Sequence, residues 1–335
     1  MTDSPDNATL AYAGLQPEQI LEALEQVSFR CDGRFLALNS YENRVYQVGV
    51  EDDDPVVAKF YRPRRWSDAA IIEEHDFSRE LADAELPVVA PLVIGGTTLH
   101  FSGPFRFAVY PRRGGRAPDL DDHDMLRQLG RLVARIHLVG ETRPFEHRPG
   151  IDIDSFGVAS SEYLLDHGFI PDSLWPAYES IVEDLFAGIE GCYERAGPTA
   201  SPRLHGDFHP GNVLAAGGEQ LHIVDLDDTR YGPAVQDLWM FLSGDQEEQA
   251  PQLDALLSGY TEFHSFAARE LHLVEALRSL RIVHYAAWLA RRWDDPAFKV
   301  AFPWFNSQRY WDEHVLTLRE QVALMQEPPL SWQPA

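Results

Sequence analysis

The sequence predicts an α+β fold in two lobes, a small β-rich N-terminal lobe and a larger helical C-terminal lobe. Three observations predict it. Short strand-like runs crowd residues 1–111, and apolar residues recur at helical spacing through most of 112–335. Between two of those later helices lies a β-like passage, Leu204 to Asp228, dense in Asp, His, Gly and Asn. A chain of 335 residues is also long for one compact core, so two domains are the natural expectation.

Taken in order, Pro17 followed by Ile20, Leu21, Leu24 and Val27 predicts a helix with proline in its first turn. Arg34 to Asn39 and Arg44 to Val50, joined by the polar turn Ser40-Tyr41-Glu42-Asn43, form a hairpin. Val56 to Tyr61 is a third strand, and Ser67 caps a helix running to about Ala84. Leu86 to Gly96 and Phe105 to Pro111 are expected as further strands, and Arg112-Arg113-Gly114-Gly115 as the connection. Beyond it helices are expected over Met125–Leu138, Leu174–Ala196, Ala234–Leu242, Gln252–Phe263, Val274–Arg292 and Trp311–Leu324. The lobes are thus 1–111 and 112–335.

Composition excludes several classes. Hydrophobic residues make up 44% and charged residues 24%, which is ordinary for a globular protein. The longest apolar stretch, Ile282 to Ala290, is interrupted by His284 and falls far short of the roughly 20 residues of a membrane span. Met1 to Asn7 carries Asp3 and Asp6 and no positive charge, unlike a secretory signal. Two cysteines, Cys31 and Cys192, are too few for a disulfide framework, so a reduced cytoplasmic setting is expected, with no membrane partner. The net charge of −25 offers no basic stripe for phosphates and argues against nucleic acid. Acidity favours cationic partners, but solubility alone accounts for it. Only two of the 28 basic residues are lysines, and Lys59 lies within an apolar strand while Lys299 does not. A lysine kept there points to a need for a compact ammonium.

The strongest constellation is Leu204-His205-Gly206-Asp207-Phe208-His209-Pro210-Gly211-Asn212-Val213-Leu214. Asp207 and Asn212 have the spacing of a kinase catalytic loop, where the carboxylate receives the acceptor's proton and the carboxamide ligates magnesium. Phosphoryl transfer needs an oriented acceptor and neutralised charge, and this pair supplies both. The alternative is an acidic turn with Asp207 as a cap. Eighteen positions after Asp207, the apolar strand Leu221-His222-Ile223-Val224 ends in Asp225-Leu226-Asp227-Asp228. Asp225 is the expected metal ligand, since magnesium takes hard oxygen donors. Asp227 and Asp228 are equally well read as a solvated turn.

Lys59 fits a strand-three lysine that contacts nucleotide phosphates and pairs with a helix glutamate. Ile71, Phe77 and Leu81 share a helix face with Glu74, which makes Glu74 the candidate partner ahead of Glu73. A solvent-facing glutamate is the competing reading. No G-x-G-x-x-G lies between the first strands, and the Asn39–Asn43 turn reads from its residues as an ordinary hairpin turn. Asp237 is expected to accept hydrogen bonds from the catalytic-loop backbone. The tryptophans at 239, 288, 293, 304 and 311 are expected to pack in the core.

Together with Leu38 to Gln47, Lys59-Phe60-Tyr61-Arg62-Pro63, Gly232 to Met240 and Gln326 to Leu330, these motifs make the chain resemble the bacterial stress response kinase A family, within the aminoglycoside-phosphotransferase-like kinases. The resemblance spans almost the whole chain. It implies a two-lobed protein-kinase-like fold and a cytoplasmic serine/threonine protein kinase that uses ATP and Mg2+, acts in stress responses and autophosphorylates. Protein hydroxyls are then the expected acceptors, and a monomer is the expected form. The resemblance carries over Asp207 as proton acceptor with Asn212 and Asp225 as magnesium ligands, and it raises Ser40 to a nucleotide contact. Two other functions remain open on the residues: a kinase of small hydroxyl compounds, because fold does not fix function, and a catalytically dead binding module. The joint presence of Lys59, Asp207, Asn212 and Asp225 opposes the latter.

Overall fold

The computed structural model describes residues 11–38, 40–217 and 220–333. Asn39 of the hairpin turn and the Met1–Asn7 segment lie outside the described residues. The chain divides into two compact units. One comprises residues up to Pro118 with Phe145–Arg148 and Pro210–Thr229; the other comprises Asp119–Pro144, Pro149–His209 and Arg230 onward.

In the first unit, chain order runs α1 (Pro17–Gln26), β1 (Cys31–Ala37), β2 (Arg44–Val50), β3 (Val56–Phe60), α2 (Asp68–Asp83), β4 (His100–Ser102) and β5 (Phe105–Pro111). The five strands make one antiparallel sheet in the order β1-β2-β3-β5-β4. Strand alternation sorts β3 onto two faces. Ala58 and Phe60 join Val48, Phe107, Val109 and the α1 residues Ile20, Ala23 and Leu24 in a core. Each fully buried side chain of Ile, Leu or Phe size contributes roughly 1.5–3 kcal/mol, which fixes α1 on that side. Val57 and Lys59 alternate with that set, with Tyr110 opposite Val57 and Val45 and Ala108 opposite Lys59.

Ser67 caps α2 by accepting the Ala70 N–H (3.1 Å). The buried stripe of α2 comprises Ala70, Ile71, Phe77, Ser78 and Leu81, and it also carries Glu74. The run Leu86–Gly96 is not the strand expected of it. Pro87 and Pro91 lack the N–H that a ladder needs. Two hydrogen bonds nevertheless tie it to Ile223: Val89 N–H donates to the Ile223 carbonyl and Ile223 N–H to that of Pro87.

The remaining elements are α3 (His123–Gly140), α4 (Ala159–Asp166), α5 (Trp175–Ala196), β6 (Arg203–Leu204), β7 (Val213–Ala215), β8 (Leu221–Ile223) and β9 (Arg230–Tyr231), then α6 (Gln236–Trp239), α7 (Gln246–Tyr260), α8 (Val274–Ala290), α9 (Pro296–Ala301) and α10 (Gln308–Leu324). β7 and β8 pair within the first unit; the helices and the β6–β9 pair form the second. Helix α7 starts six residues before the expected Gln252, because Asp245 and Glu248 form a capping box and the helix continues through Pro251. Helix α6 is a single turn, shorter than Ala234–Leu242. Helices α4 and α9 and strand β4 went unanticipated.

Helices α3 and α7 cross closely through two glycines. A Cβ at Gly130 would stand 1.9 Å from the Leu256 carbonyl oxygen, and one at Gly259 would stand 2.0 Å from that of Arg127. Trp239 and Trp311 are buried, whereas Trp304 is 46% exposed. Cys31 and Cys192 are free. No helix among the described residues is long and apolar enough to cross a membrane.

Candidate active site

The first unit holds a cavity of about 350 Å³, within the range of small-molecule sites. Val45, Val57, Val89 and Leu214 supply apolar wall suited to a flat ring. Ser40, Lys59, Glu74, Asn212 and Asp225 also line it. Five of the six expected site residues therefore meet in one place, although the chain separates Ser40 from Asp225 by more than half its length. Each is delivered by a different local device: the hairpin turn, the inner face of β3, the buried stripe of α2, the turn before β7, and the end of β8.

Lys59 is buried, with Nζ 2.9 Å from Asp225 Oδ1 and 3.2 Å from Asp227 Oδ1. Burial alone would depress its pKa, but Asp225, Asp227 and Glu74 outweigh it and hold the ammonium charged. The direct Lys59–Glu74 pair suggested by the helix spacing is not formed here. Glu74 Oε2 instead accepts from Arg148 Nη2 at 3.3 Å, while Lys59 turns to the two aspartates. Burial pushes the Glu74 carboxyl up to about 7, against the pull of Lys59 and with a further push from Asp227. Glu73 is used elsewhere: its carboxylate accepts the backbone N–H groups of Glu146 and His147.

Asp227 is no solvated turn residue. It is buried and paired with Arg65, whose Nη2 also reaches Asp228 at 2.7 Å, and it accepts from Asn43 Nδ2 at 3.1 Å. Burial would raise its carboxyl, but the Arg65 guanidinium and the Lys59 ammonium hold it down at about 2. Arg148 Nη1 further ties the Asp227 carbonyl to this network. Asp225 differs in kind. Its backbone is left-handed (φ 61°, ψ 64°) and its side chain is 51% exposed. Non-glycine residues held in the left-handed region cluster at functional sites.

Asn212 and Asp225 both line the cavity, and a carboxamide and a carboxylate carry oxygens of the kind that a hard divalent ion takes. Among the described residues no three His, Cys, Asp or Glu side chains group closely enough to cage a metal.

Asp207 lies in the second unit, on the loop after β6. Strand β6 pairs with β9 (Leu204 opposite Arg230), and Phe208 is buried against Phe241 and stacked with His205. Gly206 adopts φ +84°, a conformation that a side chain would strain. The fully buried Asp237 carboxylate clamps the loop, accepting the N–H of His205 at 2.8 Å and of Gly206 at 2.9 Å. Gln236 Nε2 donates to the Gly206 carbonyl, and His137 stands 3.2 Å from Asp237 Oδ2. His137 comes from α3, so the helix crossing set by the two glycines is part of the loop's support. Asp207 itself pairs with Arg281 of α8 through Oδ1, and its Oδ2 lies 3.5 Å from His209 Nε2.

Sequence reasoning placed Asp237 but missed Asn43, Arg65, Arg148, Gln236 and Arg281. The density of arginines was visible; nothing in local spacing says which carboxylate each one finds.

Residues 34–274 match the phosphotransferase enzyme family. Stress response kinase A of Escherichia coli (strain K12) is 42% identical over 329 residues, covering 98% of this chain and 99% of the relative. The serine/threonine protein kinase RdoA of Salmonella typhimurium (strain LT2) matches at 42% with the same coverage. Among solved structures, an amicoumacin kinase bound to AMP-PNP and Ca2+ superposes with TM-score 0.74 at 16% identity, covering 97% of each chain. A spectinomycin phosphotransferase bound to ADP and spectinomycin superposes at 0.64 and 16%, covering 92% of this chain and 97% of that one. At such identity the solved structures share the fold.

Proposed function

Because this chain belongs to the phosphotransferase enzyme family, as a kinase of two-lobed α+β, aminoglycoside phosphotransferase-like fold, we propose that it is an ATP-dependent serine/threonine protein kinase of a bacterial stress response. The observation that carries the chemistry is the gathering of Ser40, Lys59, Glu74, Asn212 and Asp225 on one cavity. The protein acceptor is supported by the likeness, over nearly the full chain, to relatives named as stress response and serine/threonine kinases.

In this reading residues 1–111, joined by the 210–229 passage, bind the nucleotide, and the rest of 112–335 binds the acceptor. The apolar wall takes the adenine ring, and Ser40 and Lys59 contact phosphate oxygens. Glu74 sets the charge around Lys59. Asn212 and Asp225 would hold Mg2+, which when bound neutralises charge on the phosphate oxygens. Asp207 accepts the hydroxyl proton as the acceptor oxygen bonds to the γ-phosphorus, and the electron pair of the broken bond leaves with ADP. The same transfer to hydroxyls of the kinase itself gives autophosphorylation.

A second reading is phosphorylation of a small hydroxyl compound, favoured by neighbours of this fold named for amicoumacin and spectinomycin. The deciding experiment supplies γ-labelled ATP with the enzyme alone, with a generic protein, and with a panel of amino alcohols, sugars and aminoglycosides. Label on protein is expected. Label confined to one small alcohol would defeat the protein-kinase reading.

A further inference from the structure

Although the chain carries a net charge of −25, Asp207 has a guanidinium and an imidazole beside it. Arg281 holds Oδ1, and His209 faces Oδ2. From Arg281 the pattern continues as one row. His284 lies one turn further along α8, and Phe156 stacks on His284 with ring centroids 4.3 Å apart. The Arg230 guanidinium sits 4.7 Å above Phe156. Arg230 stands opposite Leu204 on the β9–β6 pair, which returns the row to the loop bearing Asp207. The row is reachable, since the Arg281 side chain is 41% exposed and that of Asp207 is 26% exposed. The exposed acids Asp152 and Asp154 lie in the same segment as Phe156, and Asp152 accepts the backbone N–H of Ser155 at 2.7 Å.

We propose that this surface selects a negatively charged acceptor, an acidic protein segment around the serine or threonine, and that Arg281 reads it. The inference rests on Asp207 being the proton acceptor. The Arg281 guanidinium occupies one of the several acceptor positions of the Asp207 carboxylate, so it stands where the acceptor's flanking groups approach. A carboxylate or phosphate on the acceptor offers Arg281 a bidentate partner. A cationic acceptor would meet like charge at Arg281, so discrimination comes from repulsion as well as attraction.

The test uses the full chain, ATP and Mg2+ with three serine peptides that differ only in acidic, neutral or arginine-rich flanks. One tenfold step in kcat/KM corresponds to about 1.4 kcal/mol, the low end of the coupling found for close charge pairs at a desolvated interface. An acidic-over-basic preference of about tenfold or more is therefore expected. Arg281→Ala should shrink the preference to about threefold or less, mainly through the peptide KM and with the KM for ATP unchanged. Arg281→Glu should reverse it. Arg230→Ala, further along the row, should lower it in part. Equal or basic preference in the wild type, or full acidic preference in Arg281→Ala, overturns the inference. If no peptide or protein is labelled, alcohols bearing phosphate or carboxylate are compared with amino alcohols. Label on the anionic alcohols alone removes the protein-kinase reading but keeps the charge selection. Label on the cationic ones removes both, and no label on any acceptor removes the role of Asp207 on which the inference stands.

Discussion

Replacing Asp237 by asparagine keeps the side-chain volume and removes one acceptor. In the native protein both carboxylate oxygens are committed: Oδ1 accepts the Gly206 N–H at 2.9 Å, and Oδ2 accepts the His205 N–H at 2.8 Å. The residue is fully buried, so water cannot substitute. Asparagine turns an NH2 toward one of those two N–H groups. A buried donor left without a partner costs about 1–3 kcal/mol, and the surviving bond loses its charge-assisted share, about 1 kcal/mol more. The expected loss in urea unfolding is thus about 2–4 kcal/mol, and Asp237→Ala should cost at least as much because both donors are stranded. Turnover should fall further than stability explains at temperatures where the variant stays folded, because a misplacement of about 1 Å at the reacting group can cost about a hundredfold. If Asp237→Asn unfolds within about 0.5 kcal/mol of wild type, the clamp is not energetic. If it also turns over normally, the loop does not depend on Asp237.

Three further outcomes follow from buried charge and packing. The Glu74 carboxyl sits at about 7 in the folded protein against 4.5 ordinarily, so the folded state binds the extra proton between those values. Stability should therefore fall as pH rises from about 4.5 to about 7, by roughly 3 kcal/mol, and Glu74→Gln should flatten that slope in denaturant titrations; an unchanged slope would show that another group is responsible. Asp227, held at about 2, contributes stability that is present above about pH 4 and lost as pH falls toward 2. Asp227→Ala leaves Arg65 without its main counter-charge and should cost about 3–5 kcal/mol, whereas a cost under about 1 kcal/mol would mean that water replaces the carboxylate. Gly130→Ala pushes a methyl group into the Leu256 carbonyl oxygen. It should destabilise by about 1–3 kcal/mol or more, read as a lower thermal midpoint; no change would mean that α3 and α7 separate freely.

The sequence was legible where a residue's chemistry is local. Ser67 is a cap because its hydroxyl needs only the third residue onward, and α2 delivers Glu74 inward because helical spacing puts it with Ile71, Phe77 and Leu81. Asp237 could be read because a lone acid beside Leu238 and Trp239 has few satisfactory burials, and the loop backbone is one of them. What escaped depends on distant pairing. Arg65 and Asp227 are 162 positions apart, and Arg148 and Glu74 are 74 apart; periodicity gives a face but never a partner. The same limit explains Lys59, expected on the third strand and found there, but paired with Asp225 and Asp227 rather than Glu74. Prolines mark two departures: Pro87 and Pro91 disqualify the strand expected over Leu86–Gly96, and α7, capped at Asp245, runs through Pro251 instead of starting after it.

If Asp207 takes the acceptor's proton during phosphoryl transfer, as proposed above, one paired measurement will show it. Transfer of label from ATP and equilibrium binding of Mg2+-ATP are measured side by side for wild type and Asp207→Ala. General-base loss predicts a drop in turnover of about 10²–10⁴-fold, with nucleotide affinity kept within about threefold because the cavity residues are untouched. Turnover near the wild-type rate in Asp207→Ala would contradict the account.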